Sequence, residues 1–335
     1  MILVTGGTGL VGAHLLMELV KNEPKVRAIY RSEVKIVQTK SLFRKYQMQD
    51  YFHKIVWIKA DILDLTDLEY AFEDIDRVYH CAAMISFEKK DYPLMRKVNI
   101  EGTANMVNLS ISYGVKKFCF VSSIAAVEKN PYGGPTDEKE DWNQEKHKNG
   151  YAISKYGAEM EVWRGSQEGL EVAIVNPGVI IGPGFFRQGS GRLYFAVYNG
   201  MKFYTSGRTG YVGVWDVVKS LIGLMNSDID NERYILVAQN LSYREVFTDI
   251  ANSIGVKPPE KEAKPWMLKV GWRLSLFATI FTGKKPSLSK GTSKSAFKVM
   301  DYSSDKIKNS PLAFSFEPMK EVFEKTGKMF NPSAF

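Results

Sequence analysis

Tyr151 stands four residues before Lys155 in the run Tyr151-Ala152-Ile153-Ser154-Lys155. On a helix that spacing puts both side chains on one face, about one turn apart. A free phenol, with a pKa of about 10, is a poor acid or base near neutrality. An ammonium beside it stabilises the phenolate and makes its proton available for general acid–base work. Ser122 and Ser123 close an apolar run upstream, and a hydroxyl there can donate to a substrate oxygen on which negative charge develops. Together the three residue types suit proton transfer at a carbonyl/alcohol oxygen. Many helices carry a tyrosine and lysine at this spacing, and many strand ends carry a capping serine. The surrounding elements must therefore supply the rest of the argument.

Those elements start with residues 1–5, an apolar, β-branched run of the kind found in buried parallel strands. It leads into Gly6, Gly7, Thr8, Gly9, Leu10, Val11 and Gly12, and then into a stretch that reads as helix to residue 21. Glycines between a strand and a helix let backbone approach a pyrophosphate, whose charge then sits at the helix N-terminus. The glycines fall at 6, 9 and 12, a wider spacing than G-x-G-x-x-G. Further strands are expected at 25–30, 55–60, 77–81, 117–122 and 171–176, with helices at 66–72, 95–113 and 151–168. Beyond them a helix near 215–225, a strand near 233–237 and a helix near 243–254 are expected.

Alternating strand and helix predicts a Rossmann-type, doubly wound parallel sheet, with a cofactor lying across the carboxyl ends of its strands. Residues 1–177 are read as the cofactor-binding domain. Residues 178–335 are read as a smaller, mixed substrate lobe, from which about 211–240 returns to the main sheet. Residues 32–54 are expected to be an exposed helical insertion, and 129–149 a polar loop leading into the helix of Tyr151.

The chain resembles the extended branch of the short-chain dehydrogenase/reductase superfamily over most of residues 1–255. The matches are T-G-x-x-G-x-x-G from Thr5 to Gly12, Y-x-x-x-K at Tyr151 and Lys155, and His80-Cys81-Ala82-Ala83 closing a strand. Val98-Asn99 with Gly102-Thr103 in a helix, and Asn176-Pro177-Gly178-Val179 after a later strand, extend the likeness. It is similar above all to the dihydroflavonol-reductase-like and 3β-hydroxysteroid-dehydrogenase-like members.

The resemblance implies an NAD(P)-dependent reductase or dehydrogenase with Ser123, Tyr151 and Lys155 as its catalytic set and Asn99 supporting them. It also implies that Lys155 bonds the nicotinamide ribose and that Asp61 and Ile62 contact adenine. Ala82, Ala83, Pro177 and Val179 would wall the nicotinamide and its ribose. Ile124 follows the serine pair where the branch usually carries a small residue, so Ser122 stays a candidate beside Ser123. Met84, Ser86, Phe87, Phe185, Phe186 and Arg187 are expected to line the substrate cleft. The same residues would serve a nucleotide-sugar epimerase or dehydratase with retained NAD. A cofactor-sensing binding protein with a degenerate site is the rival from another class.

At the end of the second strand, Tyr30-Arg31-Ser32 offers no acid for a ribose 2′-hydroxyl. The planar fork of Arg31 suits a 2′-phosphate and Ser32 can add a hydroxyl, so NADP is favoured over NAD.

Composition narrows the classes further. The 335 residues are 44% apolar and 13% aromatic, ample for a packed core. Cys81 and Cys119 both fall in expected strands, which reads as free thiols and gives no disulfide framework. Net charge is +8, but seven lysines cluster between 284 and 308 in a pattern typical of a solvated face. No nucleic-acid motif accompanies them, so nucleic acid is not an expected partner. His14, His53 and His147 lack metal-ligand spacing, and His147 alone is expected near the chemistry.

Residues 266–281 are apolar but interrupted by Lys269 and Arg273, which argues against a spanning helix. A packed lid, a homodimer contact and a membrane-surface helix stay open there. A first strand beginning at residue 1 or 2 leaves no room for a signal peptide, so a cytoplasmic protein is expected. Phe185, Phe186, Tyr194, Phe195, Tyr198 and Phe203 crowd one region, whereas residues 178–225 supply only Arg187, Arg192, Lys202, Arg208 and Lys219 as cations. That balance points to a largely apolar small-molecule substrate rather than a diphosphate-linked one.

Overall fold

Strand β1 (Ile2–Thr5) turns Ile2 and Val4 to one face and Leu3 to the other, and all three are buried. The same alternation recurs in β5 (Lys117–Val121) and β6 (Glu171–Pro177). Cys119, Val121, Ala173 and Val175 face one layer, while Phe118, Phe120, Val172 and Ile174 face the other. Strands buried on both faces need helices on both sides, which is why these runs are apolar throughout rather than alternating.

The structure, a computed structural model, describes residues 1–140, 142–143, 149–268 and 296–332. Its main sheet has seven parallel strands. The others are β2 (Val26–Tyr30), β3 (Ile55–Lys59), β4 (Arg77–His80) and β10 (Glu232–Leu236), and the order is β10-β6-β5-β4-β1-β2-β3. The order reverses between β1 and β4, opening a crevice at their carboxyl ends. On one face lie α1 (Leu10–Asn22) and α8 (Val214–Met225); on the other lie α3 (Leu65–Phe72), α5 (Gly102–Ser112) and α6 (Gly150–Gln167).

A smaller lobe contains a three-stranded sheet, β11 (Gln239–Ser242), β9 (Arg208–Gly213) and β7 (Val179–Ile181), and a two-stranded one, β12 (Lys261–Glu262) with β8 (Phe203–Tyr204). They pack with α7 (Arg192–Tyr198), α9 (Tyr243–Ser253) and the helix Met319–Lys328. A capping box of Ser242 and Glu245 starts α9.

Two expectations gain detail. Residues 32–54 form α2 (Glu33–Lys45) and a 3-10 turn, Gln49–Lys54, and most of the insertion is exposed, apart from one buried stripe. Thr39, Leu42 and Phe43 are buried, with Phe43 edge-on to Phe52, while Val34 and Val37 face outward. The helix expected at 95–113 starts earlier, as α4 (Tyr92–Arg96), and contains a π-turn at Lys97–Glu101 before α5.

Cys81 and Cys119 are free thiols. Among the described residues no helix is long and apolar enough to cross a membrane, and no cluster of His, Cys, Asp and Glu could hold a metal. His147 and most of the 266–281 stretch lie outside the described residues.

Candidate active site

The turn after β1 is built around two close approaches. Gly6 has φ +69°, and a Cβ there would meet the Cys81 carbonyl carbon at 2.7 Å. A Cβ on Gly12 would lie 2.3 Å from the Gly6 carbonyl oxygen. The loop is thus drawn tight against the end of β4 and the first turn of α1. The Gly9 N–H donates to the Gly6 carbonyl at 2.9 Å, and Gly9 caps α1 in an extended conformation without a side-chain acceptor. Thr8, Leu10 and Val11 complete the turn. Such an uncapped helix start next to tightly packed glycine backbone fits a dinucleotide pyrophosphate.

At the neighbouring strand ends, Arg31 is exposed just past β2, with Nη1 3.6 Å from Asp61 Oδ2. Ser32 starts α2 but makes no side-chain cap. Asp61 Oδ1 accepts from the Leu63 N–H at 3.1 Å. Ile62 is buried, with its side chain against Gly102 and its carbonyl accepting from Asn105 Nδ2 at 3.0 Å.

Past β4, the Ala82 N–H donates to Thr5 Oγ1 at 3.0 Å, and Ala83 is exposed. Thr5 Oγ1 also lies 2.7 Å from His80 Nδ1. On the other side of the ring, Thr103 Oγ1 donates to the Asn99 carbonyl at 2.6 Å and accepts from His80 Nε2 at 3.0 Å. These partners fix His80 as the neutral Nε2–H tautomer. Burial first, and then the charge of Lys155, pull its pKa down to about 3.

Asn99 sits in the π-turn. Its Oδ1 accepts from the Met84 N–H at 2.7 Å, and its Nδ2 donates to the Met84 carbonyl at 2.9 Å and to Ser154 Oγ at 3.0 Å. Ser154 in turn donates to the Tyr151 carbonyl at 2.9 Å. One asparagine thereby joins the segment after β4 to the first turn of α6. The π-turn, a local feature common at functional sites, is what points it there.

The helix α6 starts at Asn149, whose Oδ1 accepts from the Tyr151 N–H at 3.1 Å. Tyr151 is partly exposed, with the Phe87 ring 6.0 Å away, edge to face. Burial pushes its phenol's pKa up, and a hydrogen bond with Ser123 works against that. Ser123 Oγ also accepts from the Ala125 N–H at 3.1 Å. Ser122, the other candidate, is buried behind it.

Lys155 is buried, donates to the Val121 carbonyl at 2.9 Å and lies 4.3 Å over the Phe120 ring. Burial brings its pKa down to about 8, with Glu159 and Cys81 acting in the opposite direction. Pro177 ends β6, and Val179 begins β7 packed against the smaller lobe's core.

The substrate candidates divide. Met84 and Phe87 stand beside Asn99 and Tyr151, while Ser86 donates to Asp91 Oδ2 at 2.7 Å. Phe185 and Phe186 are core residues rather than cleft residues. Phe185 packs by His14, and Phe186 packs edge-on to Tyr194 and Phe330. Arg187 is exposed at the surface. Three of the six crowded aromatics, Phe185, Phe186 and Tyr194, are thus needed for packing.

Residues not singled out from sequence as site groups also gather here: Thr5, His80 and Thr103 in the chain above, and Glu159 with Arg233 behind Lys155. Glu159 follows Lys155 by four residues, a helical signal that sequence does carry. Arg233 is far away in the chain and is brought in only by the sheet.

Comparison with known proteins bears on the family and the fold. An NAD-binding family model described as "Male sterility protein" matches residues 4–224. The chain is 29% identical over 273 residues to "Sterol demethylase protein B" of Methylococcus capsulatus, covering 80% of this chain and 78% of that one. It is 28% identical over 312 residues to a "Putative dihydroflavonol 4-reductase" of Synechocystis sp., covering 90% and 87%. Among solved structures, UDP-glucose 4-epimerase of Thermotoga maritima with UDP-glucose superposes with a TM-score of 0.78 at 22% identity, over 100% of this chain and 99% of that one. At that identity the likeness is one of fold.

Proposed function

Because this chain belongs to the NAD-binding male sterility protein family, within the extended short-chain dehydrogenase/reductase superfamily, and is an enzyme of that type, we propose that it reduces a carbonyl to an alcohol, or the reverse, on a largely apolar small molecule, with NADP as cofactor. The observation carrying this reading is Tyr151 itself, set four residues before Lys155 on one face of α6, partly exposed and faced edge-on by Phe87.

When bound, the nicotinamide supplies or accepts the hydride. The chain's own residues handle the oxygen. Ser123 donates to it and holds it beside Tyr151, whose hydroxyl protonates the nascent alkoxide in reduction and takes the proton back in oxidation. Lys155 contributes positive charge that favours the phenolate and offers a donor for the nicotinamide ribose. Asn99, through Ser154, holds the first turn of α6 in place. The glycine loop and α1 would hold the pyrophosphate, Asp61 and Ile62 the adenine side, and Ala82, Ala83, Pro177 and Val179 the nicotinamide side.

The apolar reading of the substrate rests on Phe87 and Ile85, which are 50% and 61% exposed on the segment leading from β4 toward Tyr151. Large apolar groups left open beside a proton donor suit an apolar ligand with one oxygen to be oriented. The test is a turnover and thermal-shift screen with NADPH, setting hydrophobic ketones and aldehydes against sugar nucleotides. Turnover of the former is expected. A response confined to sugar nucleotides would replace this reading with an epimerase or dehydratase.

The preference for NADP follows from Arg31. Its contact with Asp61 is solvent-exposed, and such pairs contribute about 0–1 kcal/mol. A bidentate guanidinium–phosphate contact is stronger, so a 2′-phosphate would draw Arg31 away from Asp61. Arg31→Ala is expected to weaken NADPH binding about tenfold or more, in line with a lost hydrogen bond to a charged group, while NADH binding changes little. Calorimetric titration with both cofactors decides it, and equal losses would remove Arg31 as the reader of the phosphate.

A further inference from the structure

We propose that Glu159 is a positioning residue for this chemistry: its buried charge keeps Lys155 an ammonium, and through Asn176 it fixes the backbone of Ser123. The inference rests on the roles given above to Tyr151, Lys155 and Ser123.

Tyr151, Lys155 and Glu159 follow one another at four-residue intervals along α6, so they share one face. Glu159 is 0% exposed and Lys155 1%. A carboxyl so deeply buried is costly unless its oxygens are satisfied. Asn176 Nδ2 donates to Glu159 Oε1 at 2.6 Å, and Arg233 Nη1 stands 3.5 Å from Oε2. The same Asn176 Nδ2 donates to the Ser123 carbonyl at 3.1 Å. The acid is thus tied to the strand end that presents the serine hydroxyl.

Arg233 does not simply neutralise it. Its Nε and Nη2 both donate to the Glu138 carbonyl, at 3.2 and 2.5 Å, which leaves only the longer contact for Glu159. The groups facing Glu159 are Lys155 on its own helix, Ser122 just past β5, Asn176 from β6 and Arg233 from β10. Burial raises its pKa, and all four of these act to lower it. Around Lys155, burial pulls the pKa down, Glu159 and Cys81 push it up, and His80 stays neutral. Removing the carboxylate therefore lets Lys155 lose its proton at lower pH, and the phenolate loses its cationic support.

The test is the pH dependence of kcat/KM for Glu159→Gln, which keeps the shape and an acceptor for Asn176. The alkaline limb is expected to move down by about one pH unit or more, while activity near about pH 6 stays within roughly threefold of the parent. A loss equal at every pH would overturn the proposal, because a purely structural role gives that result. A second measurement uses the unmodified chain labelled at the glutamate side-chain carboxyl carbon and read by NMR. A buried carboxylate ionised near about pH 7 supports the charge, and one protonated through about pH 8 overturns it. This second readout needs neither a folded variant nor turnover. It therefore separates failure of this proposal from failure of the Tyr151 assignment.

Discussion

Tyr151→Phe is expected to lower kcat/KM by about a hundredfold or more, the usual contribution of a positioned general acid, with cofactor affinity near the parent's. The substitution removes one hydroxyl and keeps the ring that meets Phe87 edge-on. It also leaves Ser154 and the Asn149 cap in place, because their bonds run to the Tyr151 backbone, and Asn99 with them, because its bond runs to Ser154. The first turn of α6 should therefore stay put, and the loss should fall on kcat. Residual activity within tenfold of the parent, a barrier change below about 1.4 kcal/mol, would mean that another group supplies the proton.

Gly12→Val should act on the opposite side of the site and remove cofactor binding. A Cβ at this position would meet the Gly6 carbonyl oxygen at 2.3 Å, its carbonyl carbon at 2.6 Å and Gly7 Cα at 2.9 Å. All three are backbone atoms that no rotamer change can move, so the loop itself must shift. Gly6 is pinned in turn by its approach to Cys81 and Ala82. A dinucleotide relies on that backbone, and displacement by about 1 Å is enough to cost a positioned site its geometry. The expected result is no measurable NADPH binding by calorimetry at concentrations that saturate the parent, alongside a folded far-UV spectrum. Binding within tenfold of the parent would mean that this loop does not hold the pyrophosphate.

How much of this was readable in the sequence depended on the range of the interaction. The glycine loop was legible because strand, turn and helix are contiguous, and Tyr151 with Lys155 because their relation is set by one helical turn. The returning strand Glu232–Leu236 was legible from its apolar run, and it pairs with β6. The aromatics were not. Composition cannot tell a side chain that fills a core from one that lines a cleft, and Phe185 and Phe186 fill cores. The insertion at 32–54 hid its buried face for the same reason, since Leu42 and Phe43 sit among lysines and glutamines in the sequence. Arg233 became visible only once the sheet had set β10 beside β6.

The π-turn at Lys97–Glu101 makes this site sensitive to length rather than to composition. Each residue of a regular helix turns the chain by about 100°, so a wide turn holds one residue more than a regular helix would. Deleting any one residue there other than Asn99 would let the helix close into a regular turn with its flanks still in register, and Asn99 would lose the offset that the wide turn gives it. Asn99 could not then face both Met84 and Ser154, although every side chain involved would still be present in the sequence. Descendants of this chain should therefore accept substitutions along the helix far more readily than the loss of a single codon within it.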